Sequence, residues 1–129
     1  MACFLVPAGE AIVATIIKKN VQSKEDPQEL AQQQAEGKVS WSRKLSWLMS
    51  LLWGGAILLL LEHVWHGEVV PWPPFLTAAS SPADTAEMLA EMGTVGVGMA
   101  VLVTAVWVGM VLVADYVPAV RARLVEKAA

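Results

Sequence analysis

The chain has 129 residues, of which 56% are hydrophobic and only 16% are charged. A soluble domain averages about 25% charged residues, so this composition is typical of a protein solvated largely by lipid. The formal net charge of −3 excludes a nucleic-acid partner, because an extended phosphate-binding surface needs an excess of Lys and Arg. The single cysteine, Cys3, excludes an internal disulfide and a multi-cysteine metal site. We expect a buried thiol there, with one ligand of a mixed metal site as the alternative.

The first apolar segment, residues 1–17, is short for a membrane crossing and contains Glu10. A cleaved signal peptide begins with basic residues, whereas here Lys18 and Lys19 follow the apolar run. These lysines can extend toward water and lengthen the effective span. We therefore expect a retained helix rather than a removed leader, with a re-entrant or interfacial helix as the alternative.

The polar connection, residues 18–44, contains a short helix with clear end signals. Asp26 is a good N-cap, Pro27 suits the first helical position and Gly37 is a natural stop. The pattern predicts a helix from Pro27 to Glu36 with almost no apolar face. Such a helix lies exposed as a spacer or packs on a polar partner.

The second span, residues 45–65, has Trp47 and Trp65 near its ends, as in an aromatic belt. The outer loop, residues 66–92, begins with a proline-rich segment, residues 69–75, which predicts a stiff extended path. Next, Ser81 caps a helix that we expect to continue into the third span. Its apolar side chains would pack over the outer mouth of the bundle: Met88, Leu89 and Met92.

The third span is the clearest, because residues 93–114 contain no charged side chain. At about 1.5 Å per residue this segment covers the roughly 30 Å hydrocarbon core of a bilayer. We expect Asp115, Tyr116 and Pro118 to end it, which leaves residues 115–129 as a tail. The fold class is therefore an all-α integral membrane protein of a single domain, with three transmembrane helices.

The orientation follows from the basic residues, all of which lie in two segments. Six lie in residues 18–44 and three in residues 115–129: Lys18, Lys19, Lys24, Lys38, Arg43, Lys44, Arg121, Arg123 and Lys127. Residues 66–92 contain no Lys or Arg. The positive-inside rule places both basic segments in the cytoplasm, with the N-terminus outside and the C-terminus inside. With both basic segments inside, a crossing by the first helix places the N-terminal tail, which has no Lys or Arg, outside.

Glu10 is the deepest ionisable residue of the predicted bundle. It lies eight residues before Lys18, or about 12 Å along a helix, near mid-bilayer. Such residues are costly in lipid and mark function or a buried polar contact. We expect Glu10 to act as a proton relay or to bond to Ser46, Ser50, Thr104 or another subunit.

A second polar cluster, Glu62, His63 and His66, closes the second span. Helical spacing brings His66 near both other residues, one turn apart. Imidazoles with a carboxylate suit a metal ion or haem, and Glu62 with His66 could instead relay protons. The alternative is a structural polar cap, because side chains at a helix end reach water or lipid headgroups at little cost.

Small residues on the second and third spans predict close helix packing. These residues are Gly54, Gly55, Gly96, Ala100, Thr104 and Gly109.

The sequence contains no nucleophile–base constellation and no glycine-rich phosphate loop, so we expect no enzyme activity from this chain alone. Three helices cover polar groups at two depths poorly. We therefore expect a small subunit of a larger membrane complex, redox or ion-translocating, in a prokaryotic cytoplasmic membrane. Its partners would be the lipid bilayer and other membrane subunits or further copies of itself. Alternatives are a metal- or haem-binding redox module and a proton or ion pathway component in an oligomer.

Overall fold

The computed structural model describes residues 2–129, which are mostly helical and form no β-strand. The five α-helices are α1 (Leu5–Gln22), α2 (Pro27–Ala35), α3 (Trp41–Trp65), α4 (Pro82–Glu91) and α5 (Val97–Ala128). A short 3-10 helix, Thr77–Ser80, precedes α4, and a π-helical segment, Met92–Gly96, joins α4 to α5.

The ends of α2 confirm the capping prediction. Asp26 accepts a hydrogen bond from the Gln28 amide at 2.9 Å, and Pro27 occupies the first turn. The helix stops at Ala35, and Gly37 adopts a φ of +73°, which a residue without a Cβ tolerates best. Local sequence chemistry is therefore sufficient to define this polar helix.

The acidic stretch before the third apolar run continues into it, as predicted. The side chain of Ser81 accepts from the Asp84 amide at 3.1 Å, and the helix then runs 47 residues, Pro82–Ala128. At about 1.5 Å per residue its length is roughly 70 Å. The expected end near residue 118 is wrong, since Pro118 lies inside α5. A proline removes one backbone hydrogen bond of a helix, here the bond to Ala114, and this helix absorbs that loss.

Helix α1 packs against α3 and more lightly against α5. The core contains Ala11 and Ala14 of α1 with Leu48 and Leu52 of α3, and Leu52 is fully buried. Two alanines on the contact face let the helix backbones approach closely. From α5, Val103 and Trp107 close the side of this core.

Most apolar surface of α3 and α5 faces outward. Only 22% of the most apolar stretch of α3 and 11% of that of the long helix is buried, with Leu58 70% and Leu112 64% exposed. The core helix of a soluble protein buries such a face. These two helices are long and apolar enough to cross a membrane, whereas α1 carries Glu10 and two lysines within its 18 residues.

The proline-rich loop differs from the predicted extended path, because it folds back on itself. The Val70 amide donates to the carbonyl of Phe75 at 2.8 Å, and the Thr77 amide donates to that of Glu68 at 3.0 Å. The prolines lack N–H groups, but the non-proline residues on either side of them retain donors that pair across the turn. Trp72 at the tip is exposed.

The segment after this loop packs against the start of the chain, at the end of the bundle where α1 begins. Met88 is buried with Ala2 and Ala78, and Met92 is partly buried against them. Leu89 is 58% exposed, so two of the three predicted apolar side chains pack there and the third does not.

Candidate functional site

The carboxylate of Glu10 meets α5 through one hydroxyl. Thr104 Oγ1 lies 2.6 Å from Glu10 Oε1 and 2.8 Å from the carbonyl oxygen of Ala100. A hydroxyl has a single proton, so it donates to one of these oxygens at a time. Of the three partners proposed from the sequence, the structure selects Thr104. Ser46 and Ser50 instead donate to carbonyls of their own helix, at 3.0 Å each.

Glu10 and Thr104 lie on a shallow groove along α5. The groove has a volume of about 500 Å³, and its other walls are apolar or small: Val97, Ala100, Val101, Ala105 and Val108. Glu10 itself is partly exposed. A carboxylate can accept several hydrogen bonds, and here it faces an otherwise apolar surface. This groove, called the Glu10 groove below, therefore presents a polar group that one hydroxyl does not saturate.

Close contact at Gly96 sets the approach of α1 to the long helix. A Cβ at this position would lie 2.8 Å from Val6 Cγ2 and 3.1 Å from the carbonyl oxygen of Cys3. The absence of a side chain at Gly96 is therefore required by the packing. One turn further along, Ala100 is buried, and a second turn brings Thr104 to Glu10.

The other glycines predicted to pack leave room for a side chain. A Cβ built at Gly54, Gly55 or Gly109 would meet nothing within 4 Å beyond its chain neighbours and the backbone of its own helix. The close helix contact predicted from small residues is therefore shown at Gly96 and not at these three glycines.

The two histidines of the polar cluster formed by Glu62, His63 and His66, called the outer cluster below, differ in burial. His63 is 6% exposed, with its ring edge-on to Phe4 at a centroid distance of 5.7 Å, whereas Glu62 and His66 are exposed. Each imidazole Nδ1 donates to the carbonyl one turn earlier, that of Leu59 at 2.6 Å and that of Glu62 at 2.9 Å. A carbonyl can only accept, so both rings carry a proton on Nδ1.

His63 also faces an acidic residue beyond α3. Its Nε2 lies 3.6 Å from Glu68 Oε2, in a cleft of about 340 Å³ that Cys3 and Glu91 also line. Within residues 2–129, no three His, Cys, Asp or Glu side chains converge closely enough to hold a metal ion. Glu62, His63 and His66 all line this cleft without converging to metal-binding distance, and a metal or haem site there stays a prediction.

An ion pair at the opposite end of the bundle was missed by sequence reasoning. Lys44 Nζ donates to Asp115 Oδ1 at 2.6 Å, and the lysine side chain is 5% exposed while that of Asp115 is 52% exposed. The ammonium also lies 4.7 Å from the centre of the Trp41 ring. In addition, Trp107 Nε1 donates to the Lys44 carbonyl at 2.7 Å. Opposite charges at matching ends of two predicted spans were the available signal.

Neither protein-family models, nor curated proteins, nor solved structures show a match to this chain. The functional interpretation therefore rests on the Glu10 groove, on the outer cluster and on the apolar surface around them.

Proposed function

We propose that this chain is a small non-catalytic subunit of a larger membrane complex, and that a helix of another chain covers the Glu10 groove. In this proposal α1, α3 and α5 each cross the bilayer, with the N-terminus outside and the C-terminus in the cytoplasm. The observation that carries the proposal is the carboxylate of Glu10, which lies on an apolar groove with one hydroxyl partner.

The apolar surface supports the membrane part of the proposal. Large aliphatic side chains are exposed along both α3 and α5, which lipid solvates and water does not. The distribution of basic residues supports the orientation, because crossings by α3 and α5 place both basic segments on the cytoplasmic side. A crossing by α1 would then place the N-terminal residues, which include no Lys or Arg, outside. Helix α1 is the shortest of the three, and its contact with α3 would stabilise it in the bilayer.

The energetics of Glu10 support the need for a partner. An ionisable group in the middle of a membrane helix costs roughly 2.5–3.5 kcal/mol, unless it is paired or faces a polar surface. Thr104 offers one hydroxyl, which also lies within reach of the Ala100 carbonyl. A neighbouring helix with a hydroxyl, amide or basic side chain would supply the missing donors. The small residues Ala100 and Ala105 in the groove would let that helix approach closely.

Purification in mild detergent tests this proposal. Val101 lines the groove and is 61% exposed, so Val101→Trp should fill the groove and displace a partner helix. Leu58→Trp is the matched control, because Leu58 is 70% exposed on α3 and lies outside the groove. We expect the wild type and the control to retain a stoichiometric additional chain that Val101→Trp loses. A wild-type monomer, or equal retention in both variants, would contradict the proposal.

A second candidate function is favoured by the same carboxylate, which faces an open groove rather than a closed core. In an ion-translocating complex Glu10 would take up and release a proton. Glu10→Gln keeps the shape and hydrogen-bonding capacity of the side chain but cannot ionise. Loss of transport with intact assembly would support the relay. Full transport activity in Glu10→Gln would rule it out and leave Glu10 as an assembly contact.

A further inference from the structure

A polar cleft lies where α1 ends and α3 begins, next to the polar helix α2. Its volume is about 350 Å³. The lining side chains comprise three glutamine amides, three serine hydroxyls, two aliphatic residues and three basic residues, which are Lys18, Lys38 and Arg43. This surface is called the inner cleft below. No carboxylate of residues 2–129 lines it, although the chain as a whole is acidic.

Two of the three basic residues supply the net charge of the inner cleft. Lys38 is neutralised by Glu36, because their charged atoms lie 2.6 Å apart. The hydrogen bond and positive charge of Lys38 hold the pKa of Glu36 below its ordinary value of 4.5, so this pair persists at neutral pH. Lys18 and Arg43, in contrast, have no ion-pair partner in the part of the chain that the structure describes.

The carboxylate of Glu25 lies next to the start of α3 and is only partly satisfied, because its Oε2 is buried without a hydrogen-bond partner among residues 2–129. Glu25 Oε1 accepts a hydrogen bond from the Ser42 amide at 3.1 Å, in the first turn of α3. This carboxylate is not among the groups that line the inner cleft. The cleft therefore combines two free cations with the amide donors of Gln22, Gln33 and Gln34, a donor set that suits a phosphate oxygen.

The position of the cleft matches the level of lipid headgroups. Lys18 directly follows the apolar part of α1, and Arg43 lies two residues before that of α3, which begins at Leu45. Ile17 and Trp41, at the same ends of these helices, are exposed and offer apolar surface for acyl chains. Basic pockets between membrane helices on the cytoplasmic side are typical sites for anionic headgroups.

We propose that the inner cleft binds a phosphate group and that an anionic membrane lipid supplies it. Lys18 and Arg43 contact the phosphate, and the glutamine amides hydrogen-bond to its remaining oxygens. The bound lipid holds the end of α1 against the start of α3. This inference depends on the proposed insertion of the chain into a membrane, but it does not require a partner at the Glu10 groove.

A lipid titration of the full chain in mild detergent, followed by native mass spectrometry, tests the inference. Phosphatidylglycerol is compared with phosphatidylcholine, and inorganic phosphate is added as a competitor. The test variant is Lys18→Gln/Arg43→Gln. The control, Lys19→Gln/Lys24→Gln, removes the same charge from the same connecting segment, at exposed residues outside the cleft.

We expect the wild type to bind phosphatidylglycerol in preference to phosphatidylcholine. A basic side chain next to an anionic headgroup contributes about 1 kcal/mol to the binding free energy. Loss of both Lys18 and Arg43 in the test variant should therefore raise the dissociation constant for phosphatidylglycerol by roughly 30-fold. The control should change it far less. An unaltered far-ultraviolet circular dichroism spectrum would show that both variants remain folded.

Three outcomes separate the alternatives. Equal binding of the two lipids by the wild type, or equal weakening in both variants, would overturn the inference. Displacement of lipid by millimolar inorganic phosphate would assign the cleft to free phosphate and overturn the lipid as its source. Failure here would leave the partner test at Val101 unaffected, since that test measures an additional chain on a different face.

Discussion

The contact at Gly96 gives a prediction with a built-in reference. Gly96→Ala places a methyl group 2.8 Å from Val6 Cγ2 and 3.1 Å from the carbonyl oxygen of Cys3. Two residues further along the same helix, a Cβ at Gly98 meets no atom within 4 Å. Gly96 ends the π-helical segment in a right-handed helical conformation and Gly98 lies in the first turn of α5, so each substitution to alanine gains up to about 1 kcal/mol of helix propensity. The difference between the two variants therefore isolates the packing of α1 against the long helix.

The size of the stability loss in Gly96→Ala depends on whether Val6 and the Cys3 carbonyl can move away from the added methyl group. A valine side chain on a helix has essentially one rotamer, and a backbone carbonyl has none, so neither neighbour yields without a shift of α1. Overpacking of this kind costs roughly 1–3 kcal/mol. Gly98→Ala should leave stability unchanged or raise it, and Gly96→Ala should be less stable than Gly98→Ala by about that amount.

Unfolding by sodium dodecyl sulfate in mixed micelles, followed by circular dichroism, measures this difference. Adding Val6→Ala to the Gly96→Ala variant removes the 2.8 Å contact and leaves the one with the Cys3 carbonyl. We expect partial recovery, which a double-mutant cycle quantifies. Equal stability of the Gly96→Ala and Gly98→Ala variants would refute the packing of α1 described here.

Three further predictions concern the polar contacts. Asp115→Ala should lower the free energy of unfolding by about 3 kcal/mol in the same assay, because it leaves the buried ammonium of Lys44 unpaired. Lys44→Met should lower it by only about 1 kcal/mol, because the carboxylate that it leaves unpaired is half exposed. The reverse order would contradict this description of the ion pair. Lys38→Gln should raise the pKa of Glu36 back toward 4.5 in a carboxyl NMR titration, because Lys38 is the main cause of the lowered value. With this lowered pKa the ion pair stabilises the fold above pH 4.5, and its contribution is lost progressively below that pH. An unchanged pKa would exclude Lys38 as the cause. His63→Ala should destabilise the fold by about 1–3 kcal/mol in the same assay, because it removes the buried hydrogen bond to the Leu59 carbonyl and the edge-on contact with Phe4; unchanged stability would contradict this role of the ring. Metal analysis of a variant that lacks both histidines of the outer cluster tests the metal hypothesis, which an unchanged metal content would eliminate.

Local chemistry explains the parts of the fold that could be predicted from the sequence. An Asp-Pro and a Ser-Pro pair start α2 and α4 in the structure as expected, because an N-cap and its proline act within one turn. The second and third apolar runs can be predicted as helices from sequence alone, because a long apolar segment in lipid must satisfy its backbone hydrogen bonds within itself. Residues 93–114 carry that signal most strongly.

Long-range geometry explains the parts that could not be predicted. Thr104 rather than Ser46 or Ser50 meets Glu10, since the choice depends on helix rotation, which the Gly96 contact fixes across distant residues. The Lys44–Asp115 pair likewise joins residues far apart in sequence. Helix α5 continues past Pro118. The tendency of proline to end a helix is therefore outweighed here by the residues on either side of it.

The need for a partner at Glu10 depends on α1 crossing the bilayer. Single cysteines at Ser23 and Ser80, and one added before Met1, each in a Cys3→Ser background, report this directly with a membrane-impermeant thiol reagent. Ser23 and Ser80 are exposed, and none of these changes removes a charge. Three crossings predict that the added cysteine and position 80 react from outside intact cells, and that position 23 reacts only after the membrane is opened. Labelling of the added cysteine and position 23 from the same side would contradict the crossing of α1 and the mid-bilayer position of Glu10.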